Sequence, residues 1–354
     1  MKIAKCKFSE ENPFILKFAI LFSRFFKQLN CYGIFMPIYY LDFEKPVAEI
    51  DKRMEELRPF SYQADKKVAA EIADLEKRLQ KTLAKIHSNL TRWQRTQLSR
   101  HFNRPTSLDY IERVFTNFVE LHGDRKFADD PAIIGGLARI GEERVMVVGH
   151  QRGRSVKDKV ACNFGMPNPE GYRKAFRLMK MAEQFARPLI TFIDTPGAYP
   201  GQGAEERGQA EAIAGNLQTM ALLRVPVLVV VIGEGGSGGA LALGIGDRIL
   251  MLENATYSVI SPEGCAAILW KSEAEKEKAA EALKATAADL LNLQVIDEIL
   301  PEPPGGAHRD AGTMARTLGE ALSRNLNDLK GLPASDLLDR RYEKFRRMGQ
   351  VTEG

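Results

Sequence analysis

Five glycines fall within seven residues at Gly233-Glu-Gly-Gly-Ser-Gly-Gly239, and the chemistry this stretch offers belongs to the backbone. Glycine lets the main chain pass through positive φ and lets another molecule approach it closely. A helix starting after such a turn leaves its first N–H groups without intrahelical partners. N–H groups of this kind, beside a positive dipole end, hold an anion, whether a phosphate or an oxyanion formed during reaction. Gly235-Gly-Ser-Gly-Gly239 also fits the pattern of a nucleophile elbow with Ser237 at its tip. A hydrolase built on Ser237 needs a base, and the only histidine that follows is His308, beyond the break Pro301-Glu-Pro-Pro-Gly-Gly306. The other reading of Ser237 is a small residue that fits a crowded turn. Glu234 is the only acid of the turn, and no sequence neighbour marks it as a general base.

Two further segments carry candidate groups. Asp194-Thr-Pro-Gly-Ala-Tyr-Pro-Gly-Gln-Gly203 is a second glycine-rich loop, and His150-Gln-Arg-Gly-Arg-Ser-Val-Lys-Asp-Lys159 is a basic one. Arg152, Arg154, Lys157 and Lys159 are by default a solvated charge run, and one or two of them could hold a carboxylate or phosphate. Other chemistries find no footing. There is no GxxxxGK[ST], and Gly201-Gln-Gly203 lacks the third glycine of a dinucleotide loop. Met179-Lys-Met181 has the core of a biotin attachment signal, but it lies in an amphipathic helical run and reads as core methionines flanking a surface lysine. Cys6, Cys31, Cys162 and Cys265 show no zinc spacing and suit free thiols in a reducing cytoplasm.

The elements that must position these loops alternate in kind. Ala132–Ile140 and Val145–Gly149 read as a hairpin, Pro169 to about Phe185 as a helix, and Pro188–Asp194 as a strand. A helix from Ala204 to about Leu223 leads to the valine-rich run Val225–Ile232, a strand buried on both faces. Two successive units of strand, glycine loop and helix argue for a parallel sheet with both loops at the strands' carboxyl ends, and for a site between them. Short strands at Arg248–Leu252 and Thr256–Ile260 follow, then a helix from Ala274 to Leu293, a strand at Val295–Leu300, and closing helices from Ala311 and from Ser335. Ahead of the sheet, Val68, Ile72, Leu75, Leu79, Leu83, Ile86, Leu90 and Trp93 mark one face of a long helix from Asp65 to Arg100, packed on the body or on another subunit. Thr106 or Ser107 caps a helix running towards Leu121.

With 354 residues, 44% of them hydrophobic, the chain can bury a full core, and it contains no apolar run of membrane-spanning length. The net charge of +4 resides in residues 1–35, which hold six Lys/Arg against Glu10 and Glu11; the rest balances at 44 of each sign. The body therefore gives no support for nucleic-acid binding. Met36 is the expected natural start, with residues 1–35 an upstream extension or a disordered arm. Residues 36–104 are expected as a helical segment, 105–328 as the main domain and 329–354 as a helical tail.

Asp194-Thr-Pro-Gly-Ala-Tyr-Pro-Gly, Gly233-Glu-Gly-Gly-Ser-Gly-Gly-Ala-Leu-Ala, Tyr257-Ser-Val-Ile-Ser-Pro-Glu-Gly-Cys265 and Asn163-Phe-Gly-Met-Pro-Asn-Pro-Glu-Gly-Tyr-Arg-Lys174 together resemble the α subunits of the carboxyltransferase of bacterial acetyl-CoA carboxylase. The similarity runs from about Tyr40 to the last helix, with a family domain at about 67–328. It implies an α/β, crotonase-like spiral of β-β-α units with a long-helix extension before it and helices after it. It implies transfer of a carboxyl group from N1-carboxybiotin, carried on a biotin carboxyl carrier protein charged by a biotin carboxylase, to acetyl-CoA, giving malonyl-CoA. The working unit would be a cytoplasmic α2β2 assembly in which the β subunit carries the zinc and this chain carries no metal. In such subunits the pair matching Gly238 and Gly239 forms the oxyanion hole for biotin, and the biotin oxygen itself takes the substrate proton, so no side-chain base is needed. Arg154 and Glu234 occupy places of substrate-binding residues; Gly197, Ala198, Tyr199, Gly201, Gly235 and Gly236 would shape the pocket. A bulky residue at Gly239 is expected to block it without unfolding the sheet.

Overall fold

In a computed structural model, residues 39–61 and 66–349 are described, and from Tyr40 onward they belong to one compact unit. The expectations for residues 1–35 lie outside the described residues. Eight strands are present among them: β1 (Thr116–Glu120), β2 (Ile133–Ile140), β3 (Glu143–His150), β4 (Leu189–Thr195), β5 (Val227–Gly236), β6 (Arg248–Leu252), β7 (Thr256–Ser258) and β8 (Glu298–Leu300). The sheet runs β1-β2-β3-β4-β5-β6-β8, with β7 joined to β5 off this path. β1 to β3 are antiparallel, and β3 onward is parallel, so the ends of β3, β4 and β5 emerge on one side. β4 is buried along its length and β5 along all but its last residue, as strands covered on both faces must be.

β5 changes partners midway. Leu228–Val231 pair with Arg248–Met251 of β6, while Glu234–Gly236 pair with Thr256–Ser258 of β7, and Gly235 also pairs with Thr195 after a register shift in β4. The stretch Gly233–Gly236, which reads as a turn, is therefore the last part of a strand. The helix after it is a single turn, Ser237–Leu241.

Several expected elements are divided. The helix expected from Asp65 to Arg100 stops at His87, and a new one, Arg92–Ser99, starts where Thr91 Oγ1 accepts from Gln94 N at 3.2 Å. The apolar stripe of Lys66–His87 is covered by the helix Lys45–Ser61 of the same chain, around Val47, Met54, Leu57, Leu75, Leu79 and Leu83. The helix expected to reach Leu121 ends at Val114, and the chain continues as β1. Gly208, at φ 80°, splits the next one into Gln202–Glu206 and Gln209–Leu222. Lys284, at φ 49°, does the same between Lys276–Leu283 and Ala287–Asn292. A helix at Pro262–Trp270 has no counterpart in the sequence reading.

The last helix, Ala334–Arg346, pins the base of β5. Arg341 is 1% exposed. It donates to both Asp247 oxygens at 2.9 and 2.7 Å and to the carbonyls of Met220, Leu223 and Val225 at 2.7, 2.9 and 3.1 Å. All five guanidinium N–H groups are thus satisfied, which is what allows the charge to be buried.

Candidate active site

Where β5 ends, two glycine-rich segments meet backbone to backbone. A Cβ on Gly236 would stand 2.1 Å from Pro196 O, and one on Gly239 would stand 2.5 Å from Ala198 N and 2.6 Å from Gly197 C. Only a residue without a side chain permits that approach. The position 239 is thus packed against the second loop, so a bulky residue there displaces the loop rather than entering an open pocket, against the expectation. Thr195 Oγ1 holds that loop, donating to Gly197 O at 2.7 Å and accepting from Gly197 N at 3.0 Å. Tyr199 is tied by its backbone to Pro167 O and Gln209 Nε2, and its ring lies over Gly201.

Gly238 differs from its neighbours. It is half-buried, and a Cβ there would meet only the Ile213 side chain, at 3.9 Å. As the second and third residues of the one-turn helix, Gly238 and Gly239 carry N–H groups with no acceptor one turn back within the helix. Open space therefore adjoins Gly238 at the start of this helix. Ser237 itself lines an apolar cavity of about 270 Å³, together with Leu241, Tyr257, Val259, Val295, Phe345 and Met348.

Glu234 lies at the centre of an ionic cluster, not free in the pocket. Arg100 Nη2 is 2.8 Å from its Oε1, and Arg152 Nη2 is 2.6 Å from its Oε2. Arg100 continues to Glu263 at 2.7 Å, and Arg152 Nε lies 3.2 Å from Asp194 Oδ1, which accepts from Glu234 N at 3.1 Å. Burial works against the Arg152 charge, but Asp194 and Glu234 outweigh it and raise its pKa. A carboxylate pinned by two guanidiniums is a brace for the strand end, poorly placed to act as a base. The adjoining cavity, about 480 Å³, adds Lys159 and Phe164 to this cluster.

Arg154 does not join the site as expected. It turns to the helix Ser107–Val114, pairing with Asp109 at 2.9 Å and Glu112 at 2.6 Å. Asp109 and Glu112 there offer it two ion pairs while it stays only partly buried, whereas Arg152, two residues earlier, is drawn inward by the buried Asp194 and Glu234.

Ser237 is exposed at φ 53°, the left-handed conformation an elbow serine adopts, yet no hydrogen bond links it to a histidine among the described residues. His308 is instead stacked on His101, centroids 3.7 Å apart and planes 18° apart. Glu44, His101 and His308 bring ligand atoms within 4.8 Å of one another, but the in-plane lone pairs of stacked rings run parallel rather than meeting at one point.

Residues that the sequence reading missed are Arg100 and Glu263, from the cluster, and His150 and Tyr172, which flank Gly239. Arg100 and Glu234 are 134 residues apart, and no local signal joins them.

The α/β fold is shared with a solved chain. In a Pseudomonas malonate decarboxylase hetero-tetramer in complex with coenzyme A, a chain of 18% identity superposes with a TM-score of 0.55, covering 68% of this chain and 96% of that one. That likeness defines the class of fold, a mixed sheet with a parallel half flanked by helices. The acetyl co-enzyme A carboxylase carboxyltransferase-like family matches residues 40–349, and the chain belongs to that family. It is 59% identical over 315 residues to the acetyl-coenzyme A carboxylase carboxyl transferase subunit alpha of Geobacter metallireducens, covering 89% of this chain and 99% of that one. Against the subunit of the same name from Geobacillus kaustophilus it is 59% identical over 312 residues, covering 88% and 96%. No helix among the described residues is long and apolar enough to cross a membrane.

Proposed function

We propose that this chain is the α half of a cytoplasmic carboxyltransferase that moves a carboxyl group from biotin on a biotin carboxyl carrier protein to acetyl-CoA, giving malonyl-CoA, and works with a β subunit in an α2β2 unit served by a biotin carboxylase. The observation that carries this reading is the 59% identity along 99% of the Geobacter subunit. The site's chemistry agrees with it. Carboxybiotin would supply the transferable carboxyl group, and the open space beside Gly238 is a cradle that a Cβ would begin to fill. The N–H groups of Gly238 and Gly239 donate to the oxygen on which negative charge develops as the carboxyl group departs, a contribution of roughly 3 to 4 kcal/mol per donor in comparable sites. Gly197, Ala198 and Gly236 hold those donors in place by packing flush against the turn. Gly235, Tyr199 and Gly201 shape the surrounding loops, and Glu234, Arg100 and Arg152 brace the end of β5. Among the described residues the one acid of the turn, Glu234, is held by two guanidiniums, which suits a reaction in which the substrate proton leaves to the carrier group.

The test is biotin-dependent decarboxylation of malonyl-CoA by the chain co-purified with its β subunit. Turnover that needs both subunits and biotin is expected. A complex that assembles but does not turn over under these conditions would contradict the reading.

A further inference from the structure

We propose that His150 is a positioning residue for carboxyl transfer, fixing the Gly238–Gly239 frame through the Gly239 carbonyl. The inference rests on the assignment of those two amides to the developing oxyanion. His150 ends β3 with its side chain wholly buried, and its Nε2 lies 3.2 Å from Gly239 O. A carbonyl only accepts, so the ring donates from Nε2. The one-turn helix leaves this carbonyl in need of a donor. Leu243 N–H, which would reach back to Gly239 in a longer helix, bonds Ala240 O at 3.2 Å instead. Gly238 O is taken by Ala242 N–H at 3.0 Å. One carbonyl of the pair is therefore set by the local turn and the other by a residue of a distant strand.

That strand is held on both sides. β3 is laddered to β2 on one side and β4 on the other, and the His150 carbonyl accepts from Ser107 Oγ at 2.6 Å. Tyr172 closes on Gly239 from a further direction: a Cβ on that glycine would meet Tyr172 Oη at 2.8 Å. Burial pushes the His150 imidazole down to about 4, with backbone hydrogen bonds to Gly239 and Phe192 offsetting only part of it, so the ring is neutral near pH 7. A neutral donor fixes the carbonyl without placing a fixed cation beneath the amides.

Two variants separate positioning from packing. His150→Met keeps much of the volume and removes the donor, whereas His150→Gln keeps an N–H that can reach Gly239. Each is co-purified with the β subunit and assayed for biotin-dependent malonyl-CoA decarboxylation beside its thermal unfolding. In His150→Met, kcat falls on the order of 100-fold with KM for malonyl-CoA unchanged, the loss expected when a reacting group is misplaced by about 1 Å. In His150→Gln most of kcat returns. Should His150→Met fail to assemble, His150→Asn, whose shorter amide cannot span to Gly239, takes its place with the same expectation. A donorless variant with wild-type kcat would overturn the proposal, as would equal losses in both variants that track their unfolding temperatures. An inactive wild-type complex would instead sink the carboxyltransferase reading, and this inference with it.

Discussion

Gly239 and Ala198 pack main chain against main chain, so closely that a Cβ at 239 would stand 2.5 Å from the Ala198 nitrogen. The loop that follows β4 is thus a wall of the turn that follows β5. Gly239→Val forces that wall outward, and overpacking of this kind costs about 1 to 3 kcal/mol. Both a lower unfolding temperature and loss of turnover are expected from it.

Gly238→Ala behaves differently, because the nearest atoms to its new methyl group lie 3.9 Å away. Its unfolding temperature stays at the wild-type value while the methyl group intrudes on the cradle. Thermal scans combined with the decarboxylation assay check this: activity drops without destabilisation, and a variant that loses stability as well would show that the space is not there.

Ser237 stands in a left-handed backbone conformation at φ 53° without a histidine partner among the described residues. Ser237→Gly accommodates that φ at no steric cost, so its stability stays within about 1 kcal/mol of wild type. Turnover of Ser237→Ala and Ser237→Gly stays near wild type, and a fluorophosphonate probe leaves Ser237 unlabelled. Labelling with loss of turnover would favour a hydrolase.

Arg341 and Asp247 form a buried pair, and the same guanidinium also holds the carbonyls of Met220, Leu223 and Val225. Arg341→Met strands the Asp247 carboxylate in the core and costs about 3 to 5 kcal/mol. Chemical denaturation of the purified complex reads this as an earlier unfolding transition, and an unchanged midpoint would refute it.

Acid weakens the fold through His150. Its folded-state pKa is depressed by burial to about 4, against about 6.5 unfolded, so between these values the unfolded chain binds the extra proton. The stability from keeping the ring neutral is full above about pH 6.5 and is lost as pH falls through about 4. Arg152, whose charge also lowers this pKa, stays cationic throughout. Unfolding temperature measured from pH 7.5 down to pH 4.5 falls more steeply in wild type than in His150→Gln; parallel curves would contradict the assignment.

Much of this was legible beforehand because it is local. Val227–Ile232 can only be a strand, and glycines at its end and after Asp194 imply close approach whatever lies opposite. What escaped reading is set by partners far along the chain. Gly233–Gly236 became strand because β7 pairs with it. Asn117, at φ 53°, helps a segment with helical periodicity turn into β1. Arg152 and Arg154 are indistinguishable in sequence; only the placement of Asp194 and Glu234 on one side, and of Asp109 and Glu112 on the other, sorts them. His150 carried no signal because its acceptor is a carbonyl 89 residues away.

The most direct test of the backbone account is a crystal structure of the complex with its β subunit and biotin. The ureido oxygen is predicted to lie within hydrogen-bond distance, about 2.9 Å, of the Gly238 and Gly239 nitrogens, in the space beside Ile213. Biotin bound with that oxygen against side chains elsewhere, and those two nitrogens facing packed protein, would contradict it.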